Sequence, residues 1–130
     1  MESIPGKKKV VVFDDDQDTL MICSIILAGR GYDVRTFNNA SDALERVREI
    51  HPDVILMDNW IPDKGGQFAT RALKSDAELK QIPVIYFSAN NDVQRLATEA
   101  GADMFISKPF DVGNLEKIVD AACGEKTATV

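Results

Sequence analysis

Five residues of this 130-residue chain have side chains suited to shared chemistry: Asp14, Asp15, Asp58, Ser88 and Lys108. Each stands at the end of a short apolar run: "VVVF" before Asp14 and Asp15, "VILM" before Asp58, "VIYF" before Ser88 and "MFIS" before Lys108. Taken singly, each has a plain reading. An aspartate after a strand forms turns or caps helices, a serine does the same, and a lysine is usually a solvated charge. Taken together they are complementary. Three carboxylates supply hard oxygen ligands of the kind Mg²⁺ takes, with room for water and phosphate oxygens. A carboxylate held against such an ion can act as a nucleophile and form an aspartyl phosphate. A lysine and a hydroxyl can hold phosphoryl oxygens and stabilise charge in the transition state. The ion would also offset the repulsion among ionised carboxylates, which otherwise drives a pKa upward.

These residues converge only if the elements carrying them lie side by side. Apolar runs alternate with helical patterns five times. The runs Lys8–Phe13, Tyr32–Phe37, Val54–Met57, Pro83–Phe87 and Met104–Ser107 read as strands, mostly as continuous apolar stretches typical of buried parallel sheets. Between them, helices are expected over Gln17–Arg30, stopped by Gly29 and Gly31, and over a segment with Ala43, Leu44, Val47 and Ile50, capped by Asn39 or Ser41 and closed by Pro52. Further helices are expected over Gly66–Lys74, Asn91–Ala100 with Gly101 as stop, and Val112–Ala122 capped by Asp111. The (βα)5 pattern predicts an open α/β parallel sheet with helices on both faces. In such sheets ligands bind beyond the carboxyl ends of the strands, where the five polar residues stand. Asp16 and Asp18 are expected to cap and charge the first turn of the first helix.

Composition narrows the function classes. With 45% hydrophobic and 28% charged residues the chain reads as one globular domain, 8–122, between tails 1–7 and 123–130. A net charge of −6 argues against direct nucleic-acid binding. No apolar run reaches the roughly 18 residues of a membrane span, and the short run after Lys7 ends in aspartates, so neither a span nor a signal peptide is expected. Two cysteines without metal spacing, Cys23 and Cys123, read as buried thiols, which fits a cytoplasmic location. The single histidine, His51, reads as a surface or capping residue.

The sequence resembles the receiver domains of bacterial two-component response regulators. The stretches "VVFDDDQDTL", "PDVILMDNWIPDKGG", "IPVIYFSAN" and "EAGADMFISKPF" occur in that family's order and spacing, and the likeness runs from about Lys8 to Ala122. It implies a flavodoxin-like sheet of strand order 2-1-3-4-5, an order the handedness and periodicity arguments do not supply. It also implies roles: Asp58 as phospho-acceptor; Asp15 as direct Mg²⁺ ligand, Asp14 orienting a metal-bound water, and the Trp60 carbonyl as a further ligand; Ser88 and Lys108 on the phosphoryl group; the Ala89 N–H near it; Asn90, with Trp60, at the rim; and Ser88 with Phe105 as the switch. The Lys108–Pro109 bond is often cis in the family. The implied function is a signalling switch rather than an enzyme acting on a separate substrate. It is phosphorylated by a sensor histidine kinase or histidine phosphotransfer protein and changes its α4-β5-α5 face. Output is by partner binding or by relay, with homodimer formation on phosphorylation left open.

The sequence departs from the family in three places. Phe105 is commonly tyrosine there, so the switch would be steric, or Phe105 is a buried core aromatic. Trp60 either screens the acyl phosphate from water or serves docking. Gly65 replaces a more usual polar residue and pairs with Gly66. The sequence carries no recognisable output segment after the last helix, which is expected of a stand-alone receiver or an excised one. Two other readings compete. "FDDDQDTL" loosely matches the DxDxT motif of haloacid-dehalogenase phosphatases, but no adjacent acid pair follows Lys108. A pseudo-receiver that only docks partners would not need the complete polar set.

Overall fold

The computed structural model describes residues 7–59, 65–89 and 92–124. Its elements are β1 (Lys9–Phe13), α1 (Gln17–Gly29), β2 (Asp33–Phe37), α2 (Ala43–Ile50), β3 (Val54–Asp58), α3 (Gly65–Ser75), β4 (Val84–Ser88), α4 (Val93–Ala100), β5 (Met104–Ser107) and α5 (Val112–Ala122). All five strands are parallel, in the order β2-β1-β3-β4-β5. This is the flavodoxin-like order that the resemblance implies.

Alternation along the strands explains why they are apolar throughout. Val11, Phe13, Ile55, Met57, Val84 and Tyr86 face one side and pack under α2, α3 and α4. Val10, Val12, Val54, Leu56, Ile85 and Phe87 face the other and pack under α1 and α5. With both faces covered, the central strands carry no charged residue between their first and last positions.

The register sets what stands at those ends. Phe13 is level with Met57, Asp58 with Phe87, and Ser88 with Ser107. Asp14 therefore leaves the sheet level with Asp58, and Lys108 leaves it one residue beyond Ser88.

Most helix ends follow the sequence expectation. The Asp16 side chain caps α1 by accepting from Asp18 N and from the Thr19 hydroxyl, at 3.3 and 2.7 Å, and the thiol-free first turn carries Asp18. Asp111 caps α5 by accepting from Asn114 N at 2.7 Å, and Gly101 stops α4 in the left-handed region. His51 closes α2 with φ 55°, a capping position. Two expectations are corrected. The N-cap of α2 is Asp42, without a side-chain cap bond; Asn39 instead accepts from Ser41 N at 3.1 Å and shapes the turn before it. Gly29 lies inside α1, and Arg30 is its C-cap. Cys23 is buried and its thiol is pushed up to about 12 by desolvation, so it stays protonated and inert; Cys123 is only half-buried.

The C-terminal helix is tied to the sheet edge by one carboxylate. Asp120 on α5 accepts from the Tyr32 hydroxyl and from the Arg30 guanidinium at the end of α1. The hydrogen bonds from Arg30 hold its carboxyl below the usual range. A depressed carboxylate stabilises above its ordinary pKa and loses that contribution as pH falls through the depressed value. Asp120→Asn is expected to cost about 1 kcal/mol in urea unfolding at pH 7, below the usual range for a charge-assisted bond because Asp120 is part exposed. That deficit should shrink as pH falls through the depressed value, because Asp120 then becomes neutral like the asparagine.

Candidate functional site

The site lies above the carboxyl ends of β1, β3, β4 and β5. Asp14 and Asp58 are buried, although each follows directly on an apolar strand, while Asp15 is exposed. The Lys108 ammonium donates to Asp14 Oδ2 at 2.8 Å and to Asp58 Oδ1 at 2.9 Å. It lies 4.7 Å from the centroid of the Phe87 ring, so the ammonium is also held against an aromatic face. Asp14 Oδ1 accepts from Asp16 N at 2.9 Å. The same stretch thus forms the floor of the site and the start of α1.

The charges show the strain of this arrangement. Burial pushes the Asp14 carboxyl above its ordinary range; hydrogen bonds from Lys108 and Asp16 oppose this, and the Asp58 charge adds to it. Burial also works against the Lys108 ammonium, but the bonds to Asp14 and Asp58 outweigh it and hold its pKa above the usual lysine value.

Asp14, Asp15 and Asp58 each offer a carboxylate oxygen, and these atoms lie within 4.8 Å of one another. Hard oxygen donors, two buried and one exposed to admit water, fit a small divalent cation that keeps part of its hydration shell. One lysine cannot neutralise three carboxylates, which is a second reason the donor set suits such an ion.

The remaining expected residues fall as follows. Ser88 is buried at the end of β4, and its carbonyl accepts from Lys108 N at 2.9 Å, which locks the β5 exit to the β4 end. Ala89 is exposed and shares a half-open cavity of about 350 Å³ with Thr19, Ile22, Lys108, Pro109 and Phe110. The Lys108–Pro109 bond is cis, as the resemblance implies. Phe105 is 40% exposed, level with Tyr86 across β4 and β5, so it is not a core aromatic. Trp60 and Asn90 lie outside the described residues.

Two features of the site were not anticipated. Gly66 packs directly on the backbone that follows Asp58: a Cβ there would stand 1.9 Å from the Asp58 carbonyl oxygen. Only glycine fits, and Gly65 before it takes φ 77°. Tyr86, inside an apolar run, is fully buried and its hydroxyl bonds to Asn59 Oδ1. A phenol in a strand buried on both faces was the available signal, since a buried hydroxyl needs a partner.

The family model of the response regulator receiver domain matches residues 10–120. This chain belongs to that family. Within it, the polar differentiation response regulator DivK of Brucella ovis is 31% identical over 121 residues, covering 91% of this chain and 98% of DivK. The DNA-binding response regulator MtrA of Mycolicibacterium smegmatis is 33% identical over 106 residues, covering 80% of this chain but 45% of MtrA. The chain thus spans about half the length of its MtrA relatives. Among solved structures, a putative response regulator of Chloroflexus aurantiacus superposes with a TM-score of 0.85 at 24% identity, covering 91% of this chain and 98% of its own. The receiver domain of the sensor histidine kinase PA1611 of Pseudomonas aeruginosa does so with a TM-score of 0.84 at 23% identity, covering 92% and 99%; that structure has a magnesium ion coordinated in its active site cleft. At these identities the two structures support the fold. Family membership sets aside the dehalogenase reading of "FDDDQDTL", and makes the chain part of two-component signalling. Among the described residues no helix is long and apolar enough to cross a membrane.

The contact at Gly66 gives a direct test of how tightly the acidic loop is held. Gly66→Ala is expected to lose about 1–3 kcal/mol in urea unfolding, because the added methyl meets backbone that cannot move aside without displacing Asp58.

Proposed function

We propose that this receiver is a phosphorylation-dependent switch in which Asp58 accepts a phosphoryl group from a sensor histidine kinase or a histidine phosphotransfer protein. The observation that carries this reading is the Lys108 ammonium joined to both Asp14 and Asp58 at the strand ends. A cation is thereby held where a phosphoryl group on Asp58 would bring negative charge.

Asp14, Asp15 and Asp58, with the Trp60 carbonyl, are the residues that would hold Mg²⁺. The bound ion would neutralise charge on the transferring group and on the carboxylates around it. The protein's own part begins with an Asp58 carboxylate oxygen attacking phosphorus in line. The bond from phosphorus to the donor imidazole nitrogen breaks, and the imidazole leaves with that electron pair and takes up a proton. Lys108, released from Asp58 Oδ1, holds a phosphoryl oxygen; the Ser88 hydroxyl and the Ala89 N–H donate to others. Ser88 moves toward the phosphoryl group and the Phe105 ring turns from solvent into the space it leaves. Phenylalanine has no hydroxyl to bond, so this step works by packing alone. The α4-β5-α5 face changes its equilibrium and is read by a partner protein or used in onward relay. Attack of water on phosphorus restores the Asp58 carboxylate.

The docking side of the reaction has support in α1. On this helix Leu20, Cys23 and Leu27 are buried, whereas Ile22 is 50% and Ile25 65% exposed, next to exposed Met21. Ile22 lines the same cavity as Lys108, so this apolar face is continuous with the site. A histidine-bearing protein donor seated there would present its phosphohistidine to Asp58.

Two measurements test the proposal. Labelling by acetyl phosphate with Mg²⁺ is expected to disappear in Asp58→Asn; label that persists would contradict the assignment, and an unlabelled wild-type chain would point to a docking-only receiver. Ile22→Asp is expected to slow transfer from a phosphorylated histidine-bearing protein by about tenfold or more, as loss of an interface anchor does. Its labelling by acetyl phosphate should stay at the wild-type rate, because that small donor needs no docking face.

A further inference from the structure

Tyr86 is a buried polar residue that the phosphoryl-transfer scheme above does not use. It sits on β4 two residues before Ser88 and level with Phe105 on β5, so all three side chains project from the same face of the sheet. Its ring belongs to the core under α2, α3 and α4, yet its hydroxyl reaches across to β3 and bonds to Asn59 Oδ1. Asn59 is the residue directly after Asp58.

Asn59 is held at three points. Its N–H donates to the Phe87 carbonyl at 3.1 Å, and its carbonyl accepts from Gly66 N at 3.3 Å. Its side chain takes the bond from Tyr86. Gly66 presses on the Asp58 carbonyl from the other side. The peptide joining Asp58 to Asn59 is therefore fixed by backbone bonds and by one side-chain bond, the one from Tyr86. The phenol is a dependable donor: burial, with the nearby Asp58 charge, pushes its pKa up to about 12, so it keeps its proton at neutral pH. Because the phenol donates to Oδ1, the Asn59 amide is turned with its oxygen toward β4.

We propose that Tyr86 is a positioning residue: its hydroxyl latches Asn59 and so fixes the Asp58 backbone in the orientation that phosphoryl transfer requires. Tyr86 touches no reacting atom. It acts through Asn59, and the latch rests on Asp58 being the acceptor. In-line attack is sensitive to small displacements of the nucleophile, so losing one of the three holds on the next residue lowers the rate of the chemical step. Binding of the cation, which draws on Asp14 and Asp15 from β1 as well, does not require the latch.

The test is a double-mutant cycle on the intact chain, with Tyr86→Phe, Asn59→Ala and the double variant. The rate constant for labelling by saturating acetyl phosphate is measured beside the Mg²⁺ titration midpoint. Each single variant is expected to label about three- to tenfold more slowly with an unchanged midpoint, and the double variant no more slowly than the slower single. A wild-type rate in Tyr86→Phe overturns the latch, as do effects that multiply in the double variant or slow labelling accounted for by a shifted midpoint. Asn59→Ala, which leaves the core phenol in place, guards against a folding defect in the first variant. A wild-type chain that takes no label overturns the reading of Asp58 and the latch with it; a wild-type chain that labels beside an unaffected Tyr86→Phe overturns the latch alone.

Discussion

The structure at the head of the sheet depends on one ammonium group shared by two buried carboxylates. Asp14 and Asp58 leave the core at the same level, on adjacent strands. Two ionised carboxylates in that position would repel each other in a medium that screens them poorly. Lys108 answers both at once, at 2.8 and 2.9 Å. Breaking such a triad on the lysine side leaves buried charge without compensation, the most destabilising way to lose an ion pair. The arrangement is tolerable without a further cation and incomplete without one, since Asp15 adds a third carboxylate to the group.

That shared contact also explains features of the fold that look unrelated. Lys108 follows β5, whereas Asp14 follows β1, and β3 and β4 lie between them. With strands about 4.8 Å apart, the separation is about 14 Å at the level of the sheet, more than a lysine side chain spans. The exit from β5 must therefore turn back over the neighbouring strands. The bond from Lys108 N to the Ser88 carbonyl anchors the start of that exit on β4, and the Phe87 ring lies against the ammonium. Gly66 lets α3 close against Asp58 from the other side. The apolar strands, the glycine and the long basic side chain are parts of one solution to placing charge at the edge of a core.

The strands and most caps were legible in the sequence because each rests on local chemistry: an unbroken apolar run, an aspartate before a helical pattern, a glycine after one. The strand order was not local, and only the family resemblance implied it. The buried face of α1 is not legible in its sequence. After Asp18 this helix has no charged residue up to Gly29, so periodicity does not separate the face on the core from the face in solvent. Packing against β1, β2 and α5 makes that choice, and it exposes Ile22 and Ile25. Tyr86 is inconspicuous because it stands in an apolar run that reads as core. Phe105 could be read as core or as switch from its type alone; its exposed position at the sheet edge decides against core.

The central claim is that Lys108 and a divalent cation compensate the same carboxylates. It is tested most directly by thermal unfolding of Lys108→Met and of the wild-type chain, each with and without Mg²⁺. If the two cations share this work, the variant melts lower than wild type without Mg²⁺, and Mg²⁺ raises its melting temperature by more than it raises that of wild type. An equal or smaller rise in the variant would contradict shared compensation.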